Sequence, residues 1–233
     1  VETSAQAIIK WMLEHTSFLT KKIKWVALVF SAISLVLLAL SIFSFIDKSI
    51  IGYWLLLGLG ITGIYLKKIN NLAIHSDKAK DTFRQYASLL KQIETQTFTS
   101  ELFIQKQNQI KSKGKKASHV FKEFSKALDA LDNRNNLISA IFGNGLFLLD
   151  LKNSYHIEQW ISQYASKVED WFQVVSFFDA FNSLGNFAFN HPDFVFPEIM
   201  KNGAVINATK LGHPLLPKTK RIDSDVLIEN EQL

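Results

Sequence analysis

Residues 25–46 read WVALVFSAISLVLLALSIFSFI, 22 residues without a charge. At about 1.5 Å per helical residue the run reaches roughly 33 Å, enough for a hydrocarbon core of about 30 Å. Asp47, Lys48 and Ser49 follow, and then residues 50–66, IIGYWLLLGLGITGIYL, a second uncharged run of 17 residues. Helical, it spans roughly 26 Å, at the short end for a crossing. Lys21, Lys22 and Lys24 precede the first run, and Lys67 and Lys68 follow the second. Basic residues at both outer ends and a three-residue turn between describe a transmembrane helical hairpin with both ends in the cytoplasm. Ala27, Ser31, Ser41, Gly52, Gly60 and Gly63 are small enough to let its helices approach closely in lipid. The competing reading is a buried core hairpin of a soluble protein, but soluble core helices rarely run so far without a charge. A cleaved signal peptide fits worse, because the run is too long and a second one follows at once.

Gly58, Gly60 and Gly63 fit the dinucleotide pattern G-x-G-x-x-G. That fingerprint needs a strand before it and a helix packed on a sheet after it. Here the glycines lie inside an apolar run and the pattern that follows is helical, so we set the cofactor reading aside.

Outward from the hairpin the pattern is helical on both sides. Ala7, Ile8, Trp11, Met12, His15, Phe18 and Leu19 keep helical spacing after Thr3 and Ser4 as candidate caps. After the hairpin, Ile69, Leu72, Phe83, Tyr86, Leu90 and Ile93 extend the second span to about Thr95 with no intervening Gly or Pro. Ser100 is placed to cap a short helix ending near Lys111, and Ser118 to cap another carrying Phe121, Phe124, Leu128 and Leu131 on one face. A further helical piece covers residues 135–149. From Ser154 to Asn190, Trp160, Ile161, Val168, Trp171, Phe172, Val175 and Phe178 recur at steps of three and four, which predicts one long helix with an aromatic packing seam. Pro192 stops it. Residues 194–197, 204–208 and 226–228 suit short strands.

The domain organisation that follows is an amphipathic lead-in over 1–24, a transmembrane hairpin over 25–66, a core and lever helical region over 67–190, and the start of a sheet-containing domain over 191–233. The fold class is mainly α. The chain opens on Val and its last residues follow a strand-like piece, so we expect a portion of a longer protein.

Composition narrows the chemistry. With 233 residues and no cysteine, a disulfide framework, a thiol nucleophile and a cysteine zinc site are excluded, and 19 Phe argue against disorder. The net charge of +5 is unevenly spread: residues 67–126 carry 13 basic and 5 acidic side chains, residues 127–233 carry 8 and 13. A basic middle suggests an anionic partner, either lipid headgroups or nucleic acid. Lys111, Lys113, Lys115 and Lys116 concentrate that charge in one Gly- and Ser-containing connection. They are the candidate phosphate contacts, with a solvated helix–helix link as the plain alternative. No phosphate-binding loop, H-E-x-x-H, G-x-S-x-G or EF-hand pattern occurs. The six histidines show no ligand spacing. The sequon at Asn207 is discounted because the charge rule puts it in the cytoplasm.

A resemblance emerges in the C-terminal half. A helix ending in Leu128-Asp129-Ala130-Leu131-Asp132-Asn133-Arg134-Asn135 is followed by Leu149-Asp150 and the long helix with Trp160 and Trp171. Then come Phe178-Asp179-Ala180-Phe181-Asn182-Ser183-Leu184-Gly185, Pro197-Glu198-Ile199, and Leu211-Gly212-His213-Pro214-Leu215-Leu216. In this order the motifs resemble the core of the MutS family of DNA mismatch-repair ATPases, over about residues 117–233. The resemblance implies a two-fold dimer, helical levers that carry DNA at one end, and a composite ATPase using ATP and Mg at the other. It places His213, Pro214 and Asp225 beside the nucleotide domain in supporting roles. Gly212 stands where the family usually has arginine, and Ser224-Asp225 where it has asparagine–aspartate. The phosphate loop is expected beyond Leu233, so these residues alone should not hydrolyse ATP. An apolar hairpin is foreign to ordinary mismatch-repair members and looks like a membrane-attached MutS-like branch, anchored in the cytoplasmic membrane with the helical region facing the cytoplasm. The alternative is a non-enzymatic membrane-anchored helical scaffold. No small-molecule substrate, metal or resident cofactor is indicated within these residues.

Overall fold

The computed structural model describes residues 2–111, 114–199 and 205–229. Seven α-helices and one strand pair order the described residues: α1 (Glu2–Glu14), α2 (Lys21–Ile42), α3 (Lys48–Thr95), α4 (Glu101–Ile110), α5 (Ala117–Asp132), α6 (Asn144–Phe147), α7 (Leu149–Asn190), β1 (Ile206–Leu211) and β2 (Ser224–Ile228). The fold is mainly α, as its periodicity predicts. Contacts divide the chain into two compact units, residues 1–184 and 185–233.

In the first unit, α2 and the start of α3 are both long and apolar enough to cross a membrane. Their connection differs from the expected three-residue turn. α2 stops at Ile42, and the apolar residues 43–46 lie outside it. Ser44 takes a left-handed conformation (φ 59°), and the Phe45 N–H reaches back to the Leu40 carbonyl at 2.9 Å. That six-to-one bond is a Schellman-type stop, so the helix ends although hydrophobicity continues. Asp47 then caps α3, its carboxylate accepting the Ser49 N–H and hydroxyl, both at 2.7 Å. α3 runs 48 residues without a break, as expected from the absence of Pro after the second span.

Two cap assignments change. Thr3 and Ser4 lie within α1 rather than before it. Ser118 lies inside α5, where its N–H (2.9 Å) and hydroxyl (2.5 Å) both donate to the buried carboxylate of Glu94 on α3. A neighbouring helix therefore satisfies the amino end of α5, which the local sequence cannot reveal. Ser100 does stand at the start of α4, without a side-chain cap bond.

The lead-in also departs from one continuous helix. α1 ends at Glu14, and Phe18 and Leu19 continue the apolar spacing outside any helix. Their N–H groups donate to the Glu158 carboxylate at 2.9 and 3.1 Å, bonds a helix would have used internally. The expected helical piece at 135–149 is broken: a 3₁₀ turn (Asn133–Asn135), a π turn (Ser139–Gly143), α6, and Leu148 at φ 50° before α7 begins. α7 starts at Leu149, five residues before the expected Ser154, and ends at Asn190 as expected.

α3, α5 and α7 share an aromatic core. Phe83 is fully buried, with the rings of Phe121 and Phe124 at 4.8 Å, Trp160 at 5.6 Å and Phe172 at 5.9 Å. Trp160 stacks on Phe124 at 3.8 Å and donates its indole N–H to the Val120 carbonyl at 3.1 Å. The aromatics of α7 thus form a packing seam.

In the second unit β1 and β2 pair antiparallel, with Ile206 opposite Ile228 and Ala208 opposite Val226. A bulge lies between Ala208 and Leu211, where Lys210 adopts φ 54°. Residues 194–197 form no strand. Ala204, the expected first residue of the middle strand, is outside the described residues.

Candidate functional site

The basic connection was the first candidate. α4 and α5 fix its two ends, and Gly114 makes the turn possible with φ 127°. Among the described residues its lysines do not converge. Lys111 donates to the Gln107 side chain at 2.7 Å, tying it to its own helix. Lys115 reaches Glu123 at 2.9 Å, and that carboxylate holds the lysine above its ordinary pKa. His119 lies 3.5 Å from the same carboxylate. Lys116 is exposed at the start of α5. Lys113 lies outside the described residues. An anion arriving here competes with Glu123 for Lys115, an exposed pair worth little by itself.

The second candidate is the turn between β1 and β2. The His213 Nδ1 accepts the Leu215 N–H at 3.2 Å, and Pro214 lies between them, so the imidazole organises its own turn. Asp225 accepts the Lys210 N–H at 2.8 Å, satisfying the donor that the bulge displaces. His213 and Asp225 thus serve their own stretches of backbone. At Gly212, a β-carbon would lie 2.6 Å from the Arg221 Nε, and Arg221 pairs with Asp223 at 2.6 Å. A guanidinium therefore occupies the space beside the glycine. Arg221 also stands 5.2 Å over the Phe194 ring, which stacks on His191 at 4.8 Å. Lys218 pairs with Asp193 at 2.5 Å and holds that carboxyl below its ordinary pKa.

Sequence reasoning missed a third place. An open groove of about 770 Å³ lies between α1 and α3, lined among others by Trp11, His15, Phe18, Lys68 and His75. Trp11 stacks on His75 at 5.5 Å, and the Lys68 ammonium lies 5.8 Å from the Phe18 ring centre. At its floor His15 Nε2 is 3.1 Å from Glu158, which is 1% exposed. The carboxylate is consumed by His15, Phe18 and Leu19, so it anchors the lead-in rather than acting on a ligand. Among the described residues, no three His, Asp or Glu side chains cluster as a metal site would require.

The outer faces of the hairpin expose large apolar side chains along both helices. Trp25 is 66% exposed and Val36 58%, with Leu28, Val29, Leu35, Tyr53, Leu56 and Ile64 similarly open. Of the glycines proposed to bring α2 and α3 together, Gly52, Gly60 and Gly63 have open space where a side chain would stand. Gly58 is the close-packed one, and its neighbour is Gly145. The small residues of the second run therefore do not serve the contact expected of them.

Comparison with known proteins returns nothing to place beside this geometry: no protein-family profile, curated protein or solved structure matches the chain.

Proposed function

We propose that this chain is the membrane-anchoring and lever portion of a MutS-like ATPase. In this reading α2 and the first part of α3 sit in the cytoplasmic membrane, and the helical body faces the cytoplasm. Support for the anchor comes from where the apolar side chains point. Only 22% of the apolar window of α2 and 11% of that of α3 is buried, whereas a core hairpin of a soluble protein would be mostly buried. The lysines at positions 21, 22, 24, 67 and 68 lie at the ends remote from the connection, which favours the cytoplasmic orientation.

The observation that carries the lever reading is α7: one unbroken helix of 42 residues, roughly 63 Å, that stops at the His191-Pro192 boundary ahead of the strand pair bearing His213 and Pro214. The motifs before, along and after it follow an order that resembles that of the MutS core. Nucleotide binding in an ATPase domain downstream would be communicated along α7 toward the connection at 111–116, where DNA or anionic lipid would be met, in a two-fold dimer.

The test uses the complete protein in vesicles of phosphatidylethanolamine and phosphatidylglycerol. Retention of an ATP analogue, with proteolytic cleavage at 111–116 changing when it binds, is the expected result. A complete protein that binds no ATP ends the ATPase reading and leaves the membrane scaffold. Binding of duplex DNA that weakens steeply with salt, beyond any change in vesicle binding, assigns the lysines to nucleic acid.

A further inference from the structure

Between Arg134 and Asp150 lie 15 residues, NNLISAIFGNGLFLL, without a charge. The two flanking charges meet: Arg134 Nε is 3.4 Å from Asp150 Oδ2, with side chains 15% and 7% exposed. An apolar excursion thus leaves and returns at one ion-paired base.

Residues 145–147 of this stretch pack into the hairpin. A β-carbon at Gly58 would lie 2.7 Å from the Gly145 carbonyl carbon, and one at Gly145 would lie 2.5 Å from the Leu55 side chain. Only glycine permits this backbone approach. Ser34 lies ten residues beyond Lys24 and Gly58 nine before Lys67, so the contact sits roughly 14–15 Å past the lysines, near the middle of a hydrocarbon core of about 30 Å.

A chain that turns at that depth must satisfy its own backbone, because lipid offers no hydrogen bonds. The turn here is supplied from the hairpin. The Ser34 hydroxyl donates to the Leu146 carbonyl at 2.5 Å and accepts the Trp54 indole N–H at 2.7 Å. The Ser31 hydroxyl is shared between the carbonyls of Ala27 (2.7 Å) and Phe147 (3.2 Å). Where Leu148 breaks the helix at φ 50°, the buried Asn144 side chain accepts the Asp150 N–H at 2.8 Å and starts α7. A loop in water would need none of these partners. On the opposite side Leu137 (73% exposed), Ile138 (69%) and Phe142 (51%) face outward with no charge among them.

We propose that residues 135–149 are a third membrane-embedded element, a re-entrant segment that enters beside Arg134, turns at mid-depth against Ser34 and Gly58, and leaves as α7. Leu137, Ile138 and Phe142 contact lipid acyl chains, continuing the surface that the hairpin presents. The lever helix is then rooted inside the bilayer rather than resting on it. This inference rests on the membrane reading of the hairpin.

The absence of cysteine makes site-directed spin labelling direct. Single labels at Val36→Cys (hairpin), Ile138→Cys and Phe142→Cys (segment) and Lys126→Cys (exposed on α5) are introduced into the complete protein in the same vesicles. Collisions with dissolved oxygen, which concentrates in lipid, are compared with those of a water-soluble nickel chelate. The expected result is loss of nickel access at 138 and 142 to the level at 36, with full access at 126. Access at 138 and 142 equal to that at 126, with 36 shielded, overturns the re-entrant segment and leaves the hairpin standing. Nickel access at 36 as well overturns both. Leu137→Cys supplies an independent position should one label disturb packing.

Discussion

Glu158, in the first quarter of α7, accepts the backbone N–H of Leu19 at 3.1 Å across 139 residues of sequence. The same carboxylate takes the Phe18 N–H and faces His15, so one buried acid holds the chain between α1 and α2. Those donors have no helix to satisfy them, and the first apolar helix begins two residues after the tie. Position of the hairpin relative to α7 is therefore set by an acceptor that water cannot replace at 1% exposure.

Replacing Glu158 by Ala leaves two buried N–H groups without a partner. At about 1–3 kcal/mol for each unsatisfied donor, Glu158→Ala should lower stability by roughly 2–6 kcal/mol, and Glu158→Gln by less because one acceptor remains. Denaturant unfolding of the protein in micelles, followed by tryptophan emission, gives both values. Equal and small losses for the two variants would mean the N–H groups find other acceptors.

Gly58 and Gly60 lie on opposite faces of α3 and should differ sharply in tolerance. Gly58→Ala forces a methyl group against the Gly145 backbone, which has no flexible end to move aside, and should cost about 1–3 kcal/mol. Gly60→Ala meets open space and should be neutral or stabilising by up to about 1 kcal/mol through helix propensity. The same unfolding assay ranks them, and a reversed order would displace residues 144–145 from the hairpin.

What could be read in advance followed from signals carried by neighbours in sequence. The uncharged runs, the uninterrupted continuation of α3 to Thr95 and the end of α7 before Pro192 are local properties of composition and of proline chemistry. The connection at 43–47 is not legible from composition, because hydrophobicity continues to Ile46 while the stop is decided by backbone geometry at Ser44. Cap assignment failed at Ser118 because its acceptor, Glu94, arrives from another helix. The packing glycine was misassigned for the same reason: Gly58, Gly60 and Gly63 are indistinguishable until residue 145 is placed. Among the candidate lysines, spacing suggested convergence, and Gln107 and Glu123 dispersed Lys111 and Lys115. Arg134 and Asp150 did leave a readable trace, as the only charges bounding a third uncharged stretch.

Phe83 is the residue that α3, α5 and α7 hold in common. Truncating a fully buried phenylalanine among four rings removes both its transfer energy and those edge contacts, so Phe83→Ala should cost about 3–5 kcal/mol. Leu89→Ala on the same helix, 42% exposed, should stay within about 0.5 kcal/mol. Comparable losses at the two positions would remove Phe83 from the centre of the core.

Acid sensitivity should trace to His156. Burial, reinforced by Lys152 and Lys24, holds its imidazole below the ordinary value, so the folded protein keeps it neutral where an unfolded chain would take up a proton. The sign follows from linkage: the unfolded state binds more protons below about pH 6.5, so stability is complete above that value and falls as the pH drops toward the folded-state pKa. His156→Gln removes the titrating group and should flatten that part of the profile, while leaving the slope above about pH 7 unchanged. Unfolding midpoints of wild type and variant in micelles, taken through this range, isolate His156 because the other five histidines are common to both. If the two profiles fall in parallel on the acid side, the imidazole of His156 is not held neutral between those lysines.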